Sequence, residues 1–274
     1  MNILEITRHS DLYNFHSHTQ FCDGHAPMAD FVPAAIQAGF TDWGFSPHSP
    51  LCVPSGCNMS EESVPEYLRE VKRLKEEYAG QIRLYASMEI DYLGPQWGPA
   101  TEYFQQLPLD YRIGSVHFIP NQEGEYVDID GRFEGFRQRV VDKFDGDIRF
   151  VVDKFYEQSI AMIEACGFDI IGHFDKIGHN AGHYQPGIES EPWYQRHIDH
   201  IIEAIAQSGI IAEINTKALA DHRRFFPGRR FWPQVIAAGI PLIVNSDAHY
   251  PALINAGRPK ALELLRTLNL QQSV

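Results

Sequence analysis

Short apolar runs ending in a polar residue alternate along this chain with longer amphipathic stretches closed by glycine. The short runs are LYNFHSH from Leu12, DWGFSPH from Asp42, RLYASMEI from Arg83, YRIGSVHF from Tyr111, DIIGHFD from Asp169, IIAEINT from Ile210 and PLIVNSDAH from Pro241. Each is of strand length and rich in β-branched or aromatic residues, so the pattern predicts seven strands. The longer stretches are FVPAAIQAG from Phe31 and residues 61–78, 155–166, 194–207 and 231–238; they carry helical apolar spacing, and glycine follows as a stop signal. Strand and helix in regular succession imply parallel strands with right-handed crossovers. Seven such units predict an α/β fold, a distorted TIM-like (β/α)7 barrel. Residues 121–150 are polar and glycine-punctuated, fit no unit of the repeat, and read as an insertion over the barrel mouth. With no linker-like segment elsewhere, residues 1–274 read as one domain.

The residues that end these strands carry the chemistry. His16 and His18 close the first strand, His48 the second, Glu89 the third, His117 the fourth, His173 the fifth, and Asp247 with His249 the seventh. Side chains two apart in a strand share a face, so His16 with His18, and Asp247 with His249, present paired donors. Carboxyl ends of barrel strands converge on one mouth. With Asp23 on the loop after the first strand, six histidines and three carboxylates would meet there, whereas one divalent ion takes only about four to six donors. Two to three divalent metal ions are therefore expected. Nitrogen and oxygen donors suit Zn, Mn and Fe alike.

Composition narrows the partner. The 274 residues carry a formal charge of -13, which disfavours a nucleic-acid surface. No apolar run approaches the roughly 20 residues of a membrane span and the N-terminus lacks a signal-peptide pattern, so a cytoplasmic location is expected, with no membrane partner. Four scattered cysteines make no disulfide framework.

The ordered motifs, HSH at 16–18 with Asp23, PH at 47–48, MEID around Glu89, GSVHF around His117, GHFD around His173, EINT at 213–216 and NSDAH at 245–249, resemble the polymerase and histidinol phosphatase (PHP) superfamily. Within it they look most like the stand-alone histidinol-phosphate phosphatases. The resemblance spans nearly the whole chain and implies a trinuclear metal centre. His16, His18, Glu89 and Asp247 would hold the first ion; Glu89 would bridge to a second held by His117 and His173; Asp23, His48 and His249 would hold the third. It also implies hydrolysis of a small phosphate monoester, L-histidinol phosphate, in histidine biosynthesis.

Charge agrees with that reaction. Three divalent ions against three carboxylates leave an excess of about three positive charges, which favours a phosphate dianion. Asp247 or His249 could assist proton transfer. Arg223 and Arg224, in the loop after the sixth strand, could meet a phosphate oxygen. Family members often carry a basic pair shortly after the fifth-strand motif, where this sequence departs and offers Lys176 and His179 instead, and Asn215 could orient a substrate amine. Rival readings are a PHP phosphoesterase of other specificity, namely a protein tyrosine phosphatase or a nucleotide phosphoesterase, a cyclic amidohydrolase, and a metal-binding barrel without activity. The oligomeric state stays open.

Overall fold

All seven expected strands form, but the third breaks in two. In chain order the strands are β1 (Tyr13–Asn14), β2 (Asp42–Phe45), β3 (Arg83–Ala86), β4 (Glu89–Asp91), β5 (Ile113–Ser115), β6 (Phe118–Pro120), β7 (Tyr126–Asp128), β8 (Ile170–Ile171), β9 (Ile211–Asn215) and β10 (Leu242–Asn245). The computed structural model describes residues 1–272. One parallel sheet runs β1-β2-β3 and a second, also parallel, runs β10-β9-β8-β5-β4. The run RLYASMEI contributes β3 to one sheet and β4 to the other, with Ser87 and Met88 between them.

The continuous closed barrel expected from the repeat is thus not what the strand ladders form. Isolated bridges, Ser17 to Ala248 and His48 to Glu89, span the two seams. The physical reason is that side chains take over the backbone groups a ladder would use. At the first seam Phe15 N–H donates to Asn245 Oδ1 at 2.9 Å and Ser246 N–H to Asn14 Oδ1 at 2.7 Å, while Tyr13 Oη accepts from Val244 N–H at 3.1 Å. At the second, the buried Tyr67 hydroxyl lies 2.9 Å from Phe45 O and 2.6 Å from Ser87 O, at the ends of the paired β2 and β3, and the crossing to β4 is made by two backbone bonds, Ser49 N–H to Glu89 O and Glu89 N–H to Pro47 O.

Helices cover the outside. Met28–Gln37, Val64–Glu77, Pro192–Ser208 and Trp232–Ala237 match the expected stretches. The helix expected at 155–166 begins earlier, at Ile148, where Asp147 caps it by accepting from Phe150 N–H. Residues 121–150 therefore end in that helix; before it they form β7, paired antiparallel with β6, and a helix Phe133–Lys143. Val127, Ile129, Phe136 and Val140 of this segment are buried against the helix from Ile148. Among the described residues no helix is long and apolar enough to cross a membrane.

Strand alternation builds a floor beneath the polar site. In β9 and β10, Ile211 and Ile243 stand two residues before Glu213 and Asn245, and in β5 Ile113 stands two before Ser115. These isoleucines pack with Phe15, Ile170, Tyr111 and Ile3 in one buried cluster. Each fully buried isoleucine contributes about 1.5–3 kcal/mol, so the polar residues above rest on a well-anchored layer.

Candidate metal centre

Glu89, at the start of β4, is the hub of the site. Its Oε2 lies 3.2 Å from His16 Nε2, 3.4 Å from His18 Nε2 and 3.1 Å from His48 Nδ1, while its Oε1 lies 2.7 Å from His173 Nε2 and 3.5 Å from His117 Nε2. Ser115 Oγ donates to the same Oε1 at 2.7 Å. Beside this hub Asp247 Oδ1 is 3.1 Å from His18 Nε2 and 3.8 Å from His16 Nε2. Further out, Asp23 Oδ1 is 3.3 Å from His249 Nε2, 3.5 Å from His18 Nδ1 and 3.8 Å from His48 Nε2. All nine side chains expected at the mouth are thus brought together, and all but Asp23 are buried.

Carboxylates behind the site aim the rings. His16 Nδ1 meets Glu213 Oε1 at 2.7 Å, and His117 Nδ1 meets Asp91 Oδ1 at 2.8 Å. A ring that gives its Nδ1 proton to a carboxylate presents a bare Nε2 to the front, and both Nε2 atoms face Glu89. Glu213 is held in turn by His173 N–H and by the side-chain amides of Asn215 and Asn245. Two of the site's backbones are left-handed: His173 at φ 21° and Asp247 at φ 50°. Such strain in residues other than glycine persists only where the surroundings impose it. Gly172 makes one such fit, because a Cβ there would stand 2.5 Å from the Ser115 Oγ that supports Glu89.

The donor set fits divalent cations. His16 Nε2, His18 Nε2, His48 Nδ1, Asp23 Oδ1 and Asp247 Oδ1 are buried atoms without a hydrogen-bond partner. Five such atoms in one place would cost several kcal/mol if nothing met them. Three groupings bring one donor atom per residue within 4.8 Å of each other: His18, Asp23, His48 and His249; His16, His18 and Asp247; and His48, Glu89 and His117. His18 and His48 each belong to two groupings. At two rings electrostatics points the same way: burial opposes charge on His16 and His117, yet Glu213, Asp247 and Glu89 hold His16 well above its ordinary pKa, and Asp91 and Glu89 push His117 up to about 9, whereas burial pushes His18, His48 and His173 down. A field that draws protons onto imidazoles also attracts cations.

A pocket of 690 Å³ opens beside Asp247, walled by Asp130, Phe133, Lys176, His179, Lys217 and His222. Lys176 Nζ donates to Asp130 Oδ2 at 2.6 Å, so the segment read as an insertion supplies one wall. His179 lies 4.7 Å from His183 and 4.4 Å from His222 between ring centres, and burial with these neighbours pushes it down to about 4.

The other substrate-side residues are placed differently from expectation. Arg224 is engaged by Glu189 at 2.8 Å and Asp175 at 3.1 Å, and with the exposed Arg223 it borders a separate cleft. Asn215 donates to Asp247 Oδ2 and Glu213 Oε2, both at 3.0 Å, so its amide serves the metal-side carboxylates. Asp175 accepts from Arg224 and from Gly228 N–H, and the carboxylates behind the histidines are Asp91 and Glu213. Asp91 was legible in principle, standing one strand period after Glu89 in MEID. Lys217, two residues after Asn215, was not singled out, yet its Nζ lies 3.0 Å from His249 Nε2 and 3.7 Å from Asp247 Oδ1.

Comparison with known proteins bears on this site. The family model described as PHP domain matches residues 14–217. A protein of Deinococcus radiodurans named probable histidinol-phosphatase is 26% identical over 93% of both chains. The histidinol-phosphatase of Bacillus subtilis is 26% identical over 85% of this chain and 92% of its own. Among solved structures, the histidinol phosphate phosphatase of Lactococcus lactis, complexed with zinc, L-histidinol and phosphate, superposes with a TM-score of 0.70 at 18% identity, covering 93% of each chain.

Proposed function

Because the chain belongs to the PHP domain family, we propose that it is a metal-dependent phosphate monoester hydrolase that converts L-histidinol phosphate to L-histidinol and phosphate. The observation that carries this reading is the set of buried, unpartnered donor atoms converging around Glu89 and Asp247. The two curated relatives, aligned over most of their length, bear the name histidinol-phosphatase. On this reading the two parallel sheets and their bridged seams are one distorted seven-stranded barrel, residues 1–274 are one domain, and the enzyme works in the cytoplasm.

Three divalent ions fit the donors. His16, His18, Glu89 and Asp247 would hold the first; Glu89, His117 and His173 the second; Asp23, His48 and His249 the outermost, with His18 and His48 close enough to serve a neighbouring position. Ions so held would neutralise the phosphate oxygens, steady the departing alkoxide and make water a nucleophile near neutral pH. The chain's own residues do the rest. Glu213 and Asp91 fix the imidazole tautomers, and Asn215 fixes the Asp247 carboxylate. The phosphate contacts are assigned on this reading to Lys176 and Lys217, which line the pocket wall. We assign assistance of proton transfer to Asp247, which lines the pocket, or to His249 beside it, and the imidazole and phenylalanine wall suits an aromatic leaving group.

The test is kcat/KM for histidinol phosphate, phosphoserine, a phosphotyrosine peptide and a mononucleotide at equal metal loading. Histidinol phosphate is expected to lead by at least about tenfold, or about 1.4 kcal/mol of transition-state discrimination. A phosphotyrosine peptide in first place would overturn the substrate and leave the phosphoesterase.

A further inference from the structure

Lys217 stands at the outermost metal position in a way that the ligand count does not require. His249 Nδ1 donates to the backbone oxygen of Asp247 at 3.0 Å, which fixes the tautomer and leaves Nε2 with the ring's single in-plane lone pair. That lone pair faces two claimants. On one side are Asp23 Oδ1, 3.3 Å away, and the rest of the group formed by His18, Asp23, His48 and His249. On the other is the ammonium of Lys217 at 3.0 Å, whose Nζ also lies 3.7 Å from Asp247 Oδ1. One lone pair cannot ligate an ion and accept a hydrogen bond together.

We propose that Lys217 is a built-in cation that competes with the outermost metal ion for His249, and that an anion in the pocket draws it away and so favours loading of that ion. The inference rests on the metal-centre reading above and adds a regulation to it. The side chain is 44% exposed and lines the pocket beside Asp247, so its ammonium has somewhere to go. Its backbone is held, since Lys217 N–H donates to Asn215 Oδ1 at 3.0 Å; the movement is therefore confined to a flexible four-carbon stem. Among the described residues no lysine stands at Nε2 of His16 or His117, whose far nitrogens Glu213 and Asp91 hold, and at Asp247 Oδ1 the Lys217 ammonium is farther off, at 3.7 Å. Linkage then makes the effect reciprocal: a dianion that recruits Lys217 tightens the outer ion, and the outer ion tightens the dianion.

The experiment is a zinc titration of the full chain against chelators of graded strength, with and without inorganic phosphate, for wild type, Lys217→Met and Lys217→Arg. Lys217→Met is expected to bind its weakest zinc ion about tenfold more tightly than wild type, with the tighter ions little changed, and to respond less to phosphate. Lys217→Arg keeps the cation and should remain near wild type. Equal weakest-ion affinity in wild type and Lys217→Met overturns the inference while leaving the metal centre intact, as does an equal shift in the methionine and arginine variants. Failure of wild type to bind any outer ion at saturating zinc overturns both readings. Circular dichroism of each variant separates these outcomes from misfolding.

Discussion

The inner and outer halves of the site are built from the same residue types on different supports. Facing Glu89, His16 and His117 each have a carboxylate behind the ring; Glu213 is held in turn by Asn215 and Asn245, and Glu89 itself by Ser115. Around Asp23 and His249 the supports are a backbone oxygen and a loop, Asp23 is 31% exposed, and a lysine reaches the same nitrogen. Orientation inside is imposed by charge and by close packing; outside it is left to a loop. The difference teaches that donors alone do not set the order in which ions are held.

Breaking the hub should have the largest effect. Glu89→Gln removes the charge shared by five histidines, and kcat/KM at saturating zinc should fall by more than about a hundredfold; activity within tenfold of wild type would show that Glu89 is not the bridge. Glu213→Gln is the next step down, expected to weaken the inner ions by about 10–100-fold in chelator competition while the outermost ion keeps its affinity. A uniform loss across all ions would erase the contrast between the halves. Asp23→Asn should do the converse, lowering outer affinity by about tenfold and leaving two ions per chain by elemental analysis after gel filtration. Thermal unfolding gives the smallest reading. Inner ions held at a hundred times their dissociation constant stabilise by about 2.7 kcal/mol each, so a strong chelator should lower Tm by at least about 5 °C, and a weak one that strips only the outer ion by less than about 2 °C.

Much of this contrast was legible in the residue order. Period-two alternation at strand ends brings HSH and DAH donors to one mouth, and the structure assembles all nine expected side chains there. The supports were less visible. Glu213 and Asn215 share a face, but which partner each would find depends on strands up to 197 residues away, as with His16. Arg224 looked free because Glu189, which holds it, lies 35 residues earlier on another element. The break at Ser87 and Met88 left no periodic trace, since both halves remain strand-like. Closure of the repeat into one ladder was expected from strand count alone; counting strands does not register side-chain amides that replace backbone partners.

Those amides link two events in time. Asn245 uses its oxygen on Phe15 N–H at the seam and its nitrogen on Glu213, 2.9 and 3.0 Å away, so one fully buried side chain joins the edge of β10 both to the opposite sheet and to the carboxylate that aims His16. Parting the seam removes one of the three donors that hold Glu213, and so loosens the carboxylate that aims the ring. Amide hydrogen exchange at Phe15 and escape of the innermost ion should therefore share one opening rate, and the seam becomes the clock of the metal centre.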